Sequence, residues 1–303
     1  MESYLQGVST RRMKKITNLL CGTDFSATTI SNLTKTLDEK LNKFRNRDLS
    51  DKVFRYLIID AHYENVRKNH AIVEQANLKI AGVNEDGYRE ILGVENANLE
   101  SEASWSELFK KLKERGLYGV TYIVSDAHKG IKKAIRRHFT GCIWQRCQVH
   151  YIRYLMKLVK KSDRRTLVKA IKYIWESDKI DEAREKVKQV ISFYEKRMPK
   201  IADYIEETIE ETLNVLTLPS NHRRRMCSTN MLERLNQEIK RRTKVVRIFP
   251  NENSCLRLVS SVLLEIHEDW ISSRRYLNME RQKLDDIEDY EFNFNFVPQI
   301  VNT

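Results

Sequence analysis

The sequence predicts an α/β fold in which a mixed sheet is flanked by helices and interrupted by an all-helical segment. Three observations lead there. All nine Gly fall between Gly7 and Gly141 and all four Pro at position 199 or later, so turns that need positive φ belong to the first half. Short apolar runs closed by Asp60 and by Asp126 have the character of buried strands. From Tyr151 to about Leu216 the apolar residues recur with helical period, charges alternate and glycine is absent.

Taken in order, Ser9 to Cys21 reads as a short basic helix with Met13, Ile16, Leu19 and Leu20 inward, ending at Gly22. Ser26 caps a second helix carrying Ile30, Leu33 and Leu37. Two short helices around a Gly turn form either a helix-turn-helix or a plain αα-hairpin, and pattern alone does not separate them. Tyr56 to Ile59 is a strand that stops at Asp60. Leu78 to Val83 and Tyr88 to Val94 flank the turn-rich Asn84-Glu85-Asp86-Gly87 and read as a hairpin. Ser104 with Glu107 predicts a capping box, opening a helix with Trp105, Leu108, Phe109 and Leu112 on one face. Val120 to Val124 is a strand ending at Ser125-Asp126, followed by a helix with Ile131 and Ile135 inward, and Cys142 to Trp144 is a last short strand. The order β-β-β-α-β-α-β gives an antiparallel edge and a parallel centre. A closing helix starts at Ser228 or Thr229 with Leu232, Leu235 and Ile239 on one stripe and Glu233 about 100° from Leu232. The tail after Tyr276 is acidic and is expected to be poorly ordered.

Composition narrows the class. Charged residues make up 32% of the 303, and no apolar run is long enough to span a bilayer. The amino terminus shows no signal-peptide pattern, and five Cys, an odd number, argue against a disulfide scaffold. A soluble, cytoplasmic protein is expected. The net charge of +12 is concentrated in two blocks. Residues 128–172 hold fourteen Lys/Arg against the single acid Asp163, and residues 223–247 hold nine against Glu233 and Glu238. A solvated helix face mixes its signs, whereas one-sign blocks suit phosphates, so nucleic acid is the expected partner.

Asp60 and Asp126 stand at the carboxyl ends of apolar strands, where open α/β sheets bind ligands. Glu233 is embedded in the most basic helix. Three such carboxylates suit two hard divalent cations about 3.5–4 Å apart, the arrangement used for in-line phosphodiester displacement. The competing reading is that each Asp caps the helix that follows it. Spacing leaves both open.

The local sequences go further. Tyr56-Leu57-Ile58-Ile59-Asp60-Ala61-His62-Tyr63, Val124-Ser125-Asp126-Ala127-His128-Lys129-Gly130 and Trp144-Gln145-Arg146-Cys147-Gln148-Val149-His150 resemble motifs of the Mutator-type bacterial insertion-sequence transposases. So does the long run from Ser228 through Asn230, Glu233 and Asn236 to Val246, continued by Phe249-Pro250-Asn251-Glu252 and Leu256-Arg257-Leu258. The resemblance runs in order from about Tyr4 to Tyr276, with Ala127 where the family usually has Gly and with His62 and Glu64 beside the first Asp. It implies an RNase H-like core with a DDE triad, interrupted by a helical insertion. The domains then expected are an N-terminal helical DNA-binding segment (1–50), the first part of the catalytic core (51–150), an all-helical insertion (151–222), closing helices with Glu233 (223–276) and an acidic tail (277–303).

The resemblance implies that Asp60, Asp126 and Glu233 are catalytic and bind two Mg²⁺, for which Mn²⁺ substitutes, with no organic cofactor. The reaction implied is DNA cleavage at transposon ends and strand transfer. The partners implied are double-stranded DNA, at the ends and the target, and further copies of the chain assembled on it, near the nucleoid and away from membranes. Arg223, Arg224 and Arg225 before the glutamate helix, and Lys240, Arg241, Arg242 and Lys244 within and after it, are the expected DNA-binding cations. Their alternative partner is the acidic second half of the insertion. Cys147 and His150 match the family's Cys-x-x-His signature. With Cys142 they suggest zinc, but the only near candidate for a fourth ligand is His138, so zinc is less expected than a role in organising the junction between strand and insertion. The resemblance also implies that the chain opens part-way through the family's amino-terminal DNA-binding region. Two alternatives therefore stand beside transposition: a non-catalytic DNA-binding regulator, and another RNase H-like nuclease such as a junction resolvase.

Overall fold

The computed structural model describes residues 37–279. The first expected amino-terminal helix and the start of the second, up to residue 36, lie outside the described residues, as does the acidic tail beyond residue 279; residues 37–45 are helical. Five strands form one sheet: β1 (Phe54–Lys68), β2 (Ala71–Asn84), β3 (Arg89–Ala97), β4 (Tyr122–Ser125) and β5 (Ile143–Arg146). Their order is β3-β2-β1-β4-β5. The pairs β1–β2 and β2–β3 are antiparallel, and β1–β4 and β4–β5 are parallel. This is the antiparallel edge and parallel centre that the element order predicts, an RNase H-like arrangement.

Helices cover both faces. Strand alternation sends Leu57 and Ile59 to one side, where α1 (Glu102–Glu114) contributes Trp105, Leu108, Phe109 and Leu112 and α2 (Lys129–His138) contributes Ile131, Ala134 and Ile135. Tyr56, Ile58, Tyr122 and Val124 point the other way. There α3 (Gln148–Leu158), α4 (Arg164–Trp175), α5 (Ile180–Glu195), α6 (Pro199–Thr208), two 3₁₀ turns (Ile209–Thr212, Asn214–Thr217), α7 (Ser220–Met226), α8 (Asn230–Thr243) and α9 (Glu252–Ser272) build a continuous apolar cluster. Between β5 and α8 the chain contains no strand.

The structure differs from expectation at several boundaries. β1 does not stop at Asp60: its parallel pairing with β4 ends at Ile58↔Val124, but its pairing with β2 continues to Lys68↔Ala71. The extension is a hairpin turning at Asn69 and His70, with φ of 49° and 64°. α1 starts one turn earlier than the Ser104–Glu107 box predicts. Ser101 is its N-cap, and its hydroxyl accepts from the Ser104 N–H at 3.1 Å. β5 begins at Ile143 and runs two residues past Trp144. The helix with Glu233 is not the last, because α9 follows it, opened by a capping box between Asn251 and Ser254.

Candidate active site

The parallel register brings the two aspartates level. Ile58 pairs with Val124, so Asp60 and Asp126 each lie two residues past that pair on adjacent strands, where the sheet opens toward α8. Their environments differ. Asp60 is 8% exposed and paired across the ladder with Lys79, and its Oδ2 accepts from Asn236 Nδ2. Burial pushes its carboxyl above the usual range, the Asp126 charge adds to this, and Lys79, His150 and Asn236 oppose it. Asp126 lies just beyond β4, and its Oδ1 accepts from the His128 N–H at 3.1 Å, so it does order the turn into α2. The N-cap of α2 is His128, however, and Asp60 lies mid-strand with no helix after it. The capping reading thus describes one oxygen of Asp126 and nothing of Asp60.

Glu233 arrives from across the sheet, on the first turn of α8. It is gripped by α3: Arg153 donates to its two oxygens at 2.6 and 2.7 Å, and His150 Nε2 stands 3.5 Å away. Cys147 sets this geometry. It is fully buried at the N-cap of α3, and its Sγ accepts from both the backbone N–H and the hydroxyl of Thr229, at 3.3 and 3.4 Å. Thr229 is the N-cap of α8 but makes no capping bond with its side chain. Cys147 therefore ties the end of the sheet to the start of the glutamate helix. The His150 imidazole is raised to about 9, chiefly by its hydrogen bond to Cys147, with Asp60 and Glu233 adding to this against burial. Burial lifts the Cys147 thiol, but His150 and Thr229 bring it below its ordinary value.

The three expected carboxylates are thus neighbours, Asp126 bearing on Asp60 and His150 lying between Asp60 and Glu233 electrostatically, without closing on a common point. Among the described residues no group of three His, Cys, Asp or Glu is close enough to hold a metal ion. Asp60 and Asp126 form the level pair, while Glu233 is turned to Arg153. The donor chemistry suits a hard divalent cation. Beside Asp60, Asn236 Oδ1 is a buried acceptor without a partner, one helical turn from Glu233 on α8.

Four neighbours were not foreseen as part of this site. Lys79 is wholly buried opposite Asp60, donates to His62 Nδ1 and to the Asn77 carbonyl, and has its ammonium lowered to about 7 by burial, which Asp60 and Glu64 oppose. Its signal was a lone Lys between Leu78 and Ile80 in an apolar strand. His62 is lowered to about 4 by burial, and Glu64 accepts from Thr243 Oγ1 at 3.0 Å. Glu100, before α1, accepts from Trp105 Nε1 at 3.2 Å, and its carboxyl is raised by burial and by Asp126.

The expected DNA-binding cations divide in two. Arg223 spends its guanidinium on the carbonyls of Leu218, Asp178 and Leu216, each at 2.8 Å. Arg242 is buried against Glu238 and Glu265. Both thus brace the fold rather than face solvent. Arg241 is exposed but bidentate to Glu238, so the acids it meets lie on α8 itself rather than in the insertion. Arg224, Arg225, Lys240 and Lys244 are exposed, and Lys240 is close enough to act electrostatically on Lys79 and His62. Asn230 is exposed at the start of α8. No helix among the described residues is long and apolar enough to cross a membrane.

A family model described as "Transposase, Mutator family" matches residues 1–273. The transposase for insertion sequence element ISRM5 of Rhizobium meliloti is 44% identical over 92% of this chain and 70% of its own length. That for IS256 in transposon Tn4001 of Staphylococcus aureus is 39% identical over 93% and 73%. That for IS1081 of Mycobacterium tuberculosis is 36% identical over 91% and 67%. A match across nearly the whole chain, on a sheet that sets two aspartates level beneath a glutamate helix, places this chain in the Mutator family of transposases.

Proposed function

We propose that this chain cleaves DNA at transposon ends in a Mg²⁺-dependent reaction and transfers the freed 3′-hydroxyl into target DNA, with Asp60, Asp126 and Glu233 as its catalytic carboxylates. The observation that supports this most is the level pair Asp60 and Asp126 at adjacent parallel strands, facing the helix that carries Glu233 and Asn236. Asp60 and Asp126 would hold the cations, joined by Glu233. Bound divalent cations lower the pKa of an attacking water or hydroxyl and neutralise the leaving oxygen.

The protein's own groups supply the rest. Asn236 fixes the Asp60 carboxylate with its amide, and Lys79 behind it offsets a buried negative charge. Arg153 and His150 hold Glu233, which would have to leave Arg153 to join the cations. Lys240, Arg241, Lys244, Arg224 and Arg225 offset the repulsion between the carboxylates and the DNA backbone. Synapsis of two ends requires more than one copy of the chain on the DNA.

The test is incubation of the full chain with duplexes carrying its matched terminal repeats, Mg²⁺ and a target plasmid. Joined end–target products are expected. Binding without nicking would instead support the regulator reading, and nicking without joining a nuclease such as a resolvase.

A further inference from the structure

A second charged feature lies on the same face of the sheet, toward the start of β1. At the β2–β3 turn Gly87 has φ of +86°, and a Cβ there would meet the Leu277 carbonyl oxygen at 1.9 Å. The chain after α9 can therefore lie directly on the turn, with the Gly87 carbonyl accepting from the N–H groups of Tyr276 and Leu277 at 2.7 and 3.1 Å. This places the Tyr276 ring between two guanidiniums, with Arg225 4.7 Å and Arg89 5.0 Å from its centroid. Arg89 also stacks over Trp270 at 4.4 Å. Beside them opens a pocket of about 460 Å³ lined by Arg224, Arg225, Arg275, Tyr276, Asn221 and Asn278.

Among the described residues, none of Arg89, Arg224, Arg225 and Arg275 pairs with a carboxylate, and Arg89 Nε is a buried donor without a partner. Arg225 and Arg234 both bear on Arg89 as like charges, adding to the burial that lowers its pKa. Guanidiniums gathered at this density and left unpaired call for a bound anion. Position says which. Helix α7, which carries Arg224 and Arg225, is fastened to β1 by the 3.0 Å bond between Tyr56 Oη and His222 Nδ1. Asp60 is four residues further along that strand, roughly 13 Å. Along a duplex that distance is about four base pairs. Arg234 follows Glu233 directly on α8, so positive charge continues from the carboxylate cleft to the pocket.

We propose that the pocket of Arg224, Arg225 and Arg275 around Tyr276, backed by Arg89, binds backbone phosphodiesters of duplex DNA a few base pairs from the reacting bond. The proposal rests on the DNA-processing reading above and adds a second anchoring point to it. The stacked Arg89 and Arg225 orient the site, and the exposed Arg224 and Arg275 supply the direct contacts.

The test is duplex binding by the full chain, followed by fluorescence anisotropy across a salt series in EDTA, where nothing is cut. The double variant Arg224→Gln/Arg275→Gln spares the arginines stacked on Tyr276. It is expected to bind about tenfold more weakly at 150 mM salt and to lower the log–log salt slope by between about one and two, with unchanged melting temperature. Arg224→Lys/Arg275→Lys is expected to restore the slope. Unchanged affinity and slope would overturn the proposal. So would tighter binding, which would assign the pocket to the carboxylates that follow Met279 in the sequence, such as Asp285 and Asp286. Failure of cleavage leaves this readout intact, so the two readings fail separately.

Discussion

The two aspartates and the glutamate are held in different ways. Asp60 and Asp126 are set by backbone register, through parallel pairs from Tyr56↔Tyr122 to Ile58↔Val124 that no side-chain change can shift by less than a whole residue. Glu233 is set by side chains: Cys147 on Thr229, then Arg153 and His150 on the carboxylate itself. The sheet therefore supplies a fixed pair of carboxylates and the helices an adjustable third. An all-or-none requirement belongs to the first, and graded control to the second.

Replacement at the fixed pair gives the largest expected effect. Asp60→Asn or Asp126→Asn should lower end cleavage by at least about 10³-fold, because the lost charge stabilisation is several kcal/mol, while duplex affinity in EDTA stays within about twofold. Near-normal cleavage by either variant would remove that residue from the site. Loosening the adjustable arm should cost less. Cys147→Ala frees the start of α8 and is expected to reduce the cleavage rate about 10- to 100-fold at unchanged DNA affinity, with Thr229→Val behaving alike. If Cys147→Ala matched the parent, Glu233 would need no such tether and the comparison would break.

Arg153 sharpens the contrast at smaller scale. Its side chain is half exposed, so its ion pair with Glu233 is worth about 1 kcal/mol at most after solvent screening. Arg153→Gln should therefore lower the Mg²⁺ concentration for half-maximal cleavage about two- to fivefold. The same shift should appear in luminescence of bound Tb³⁺, read without DNA. An increase would mean that Arg153 positions Glu233 rather than competing for it.

The smallest effect concerns stability on the helical side. His267 of α9 packs against Phe44, and burial, with help from Arg47 and Lys52 and against Glu90, lowers its imidazole to about 4. A folded pKa below the unfolded value of 6.5 means that the unfolded chain takes up the proton first as pH falls. This contribution to stability is complete above pH 6.5 and is lost progressively down to about pH 4. His267→Leu should flatten that part of the urea-midpoint profile, and a profile as steep as the parent's would assign the loss elsewhere.

Much of this arrangement was legible in the residues. The strands around Ile58 and Val124 announced themselves because they are apolar on both sides, and Leu232, Leu235 and Ile239 marked the buried stripe of α8. The continuation of β1 was hidden because His62, Glu64 and Arg67 read as polar chain, whereas in the fold His62 is buried beside Lys79 and Glu64 accepts from Thr243. Helix α1 was placed a turn late because Ser101 and Ser104 both have capping side chains, and only the backbone decides which one caps. Charge was the least legible property. Arg223 and Arg242 look identical to Arg224 and Arg225 in sequence, and only the fold turns the first two inward onto carbonyls and carboxylates. Lys79 and Glu100 escaped notice because their relation to Asp60 and Asp126 is made by strand pairing and loop return, not by spacing.

The separation of Glu233 from the sheet also has a consequence in time. The ribosome finishes the last strand at Arg146, with both aspartates already made, and reaches Glu233 roughly 90 residues later. At about 5–20 residues per second, that is an interval of several seconds in which the emerging chain holds two of its three acids and no third. On the proposed assignment, a nascent chain would be unarmed until the intervening helices have been made.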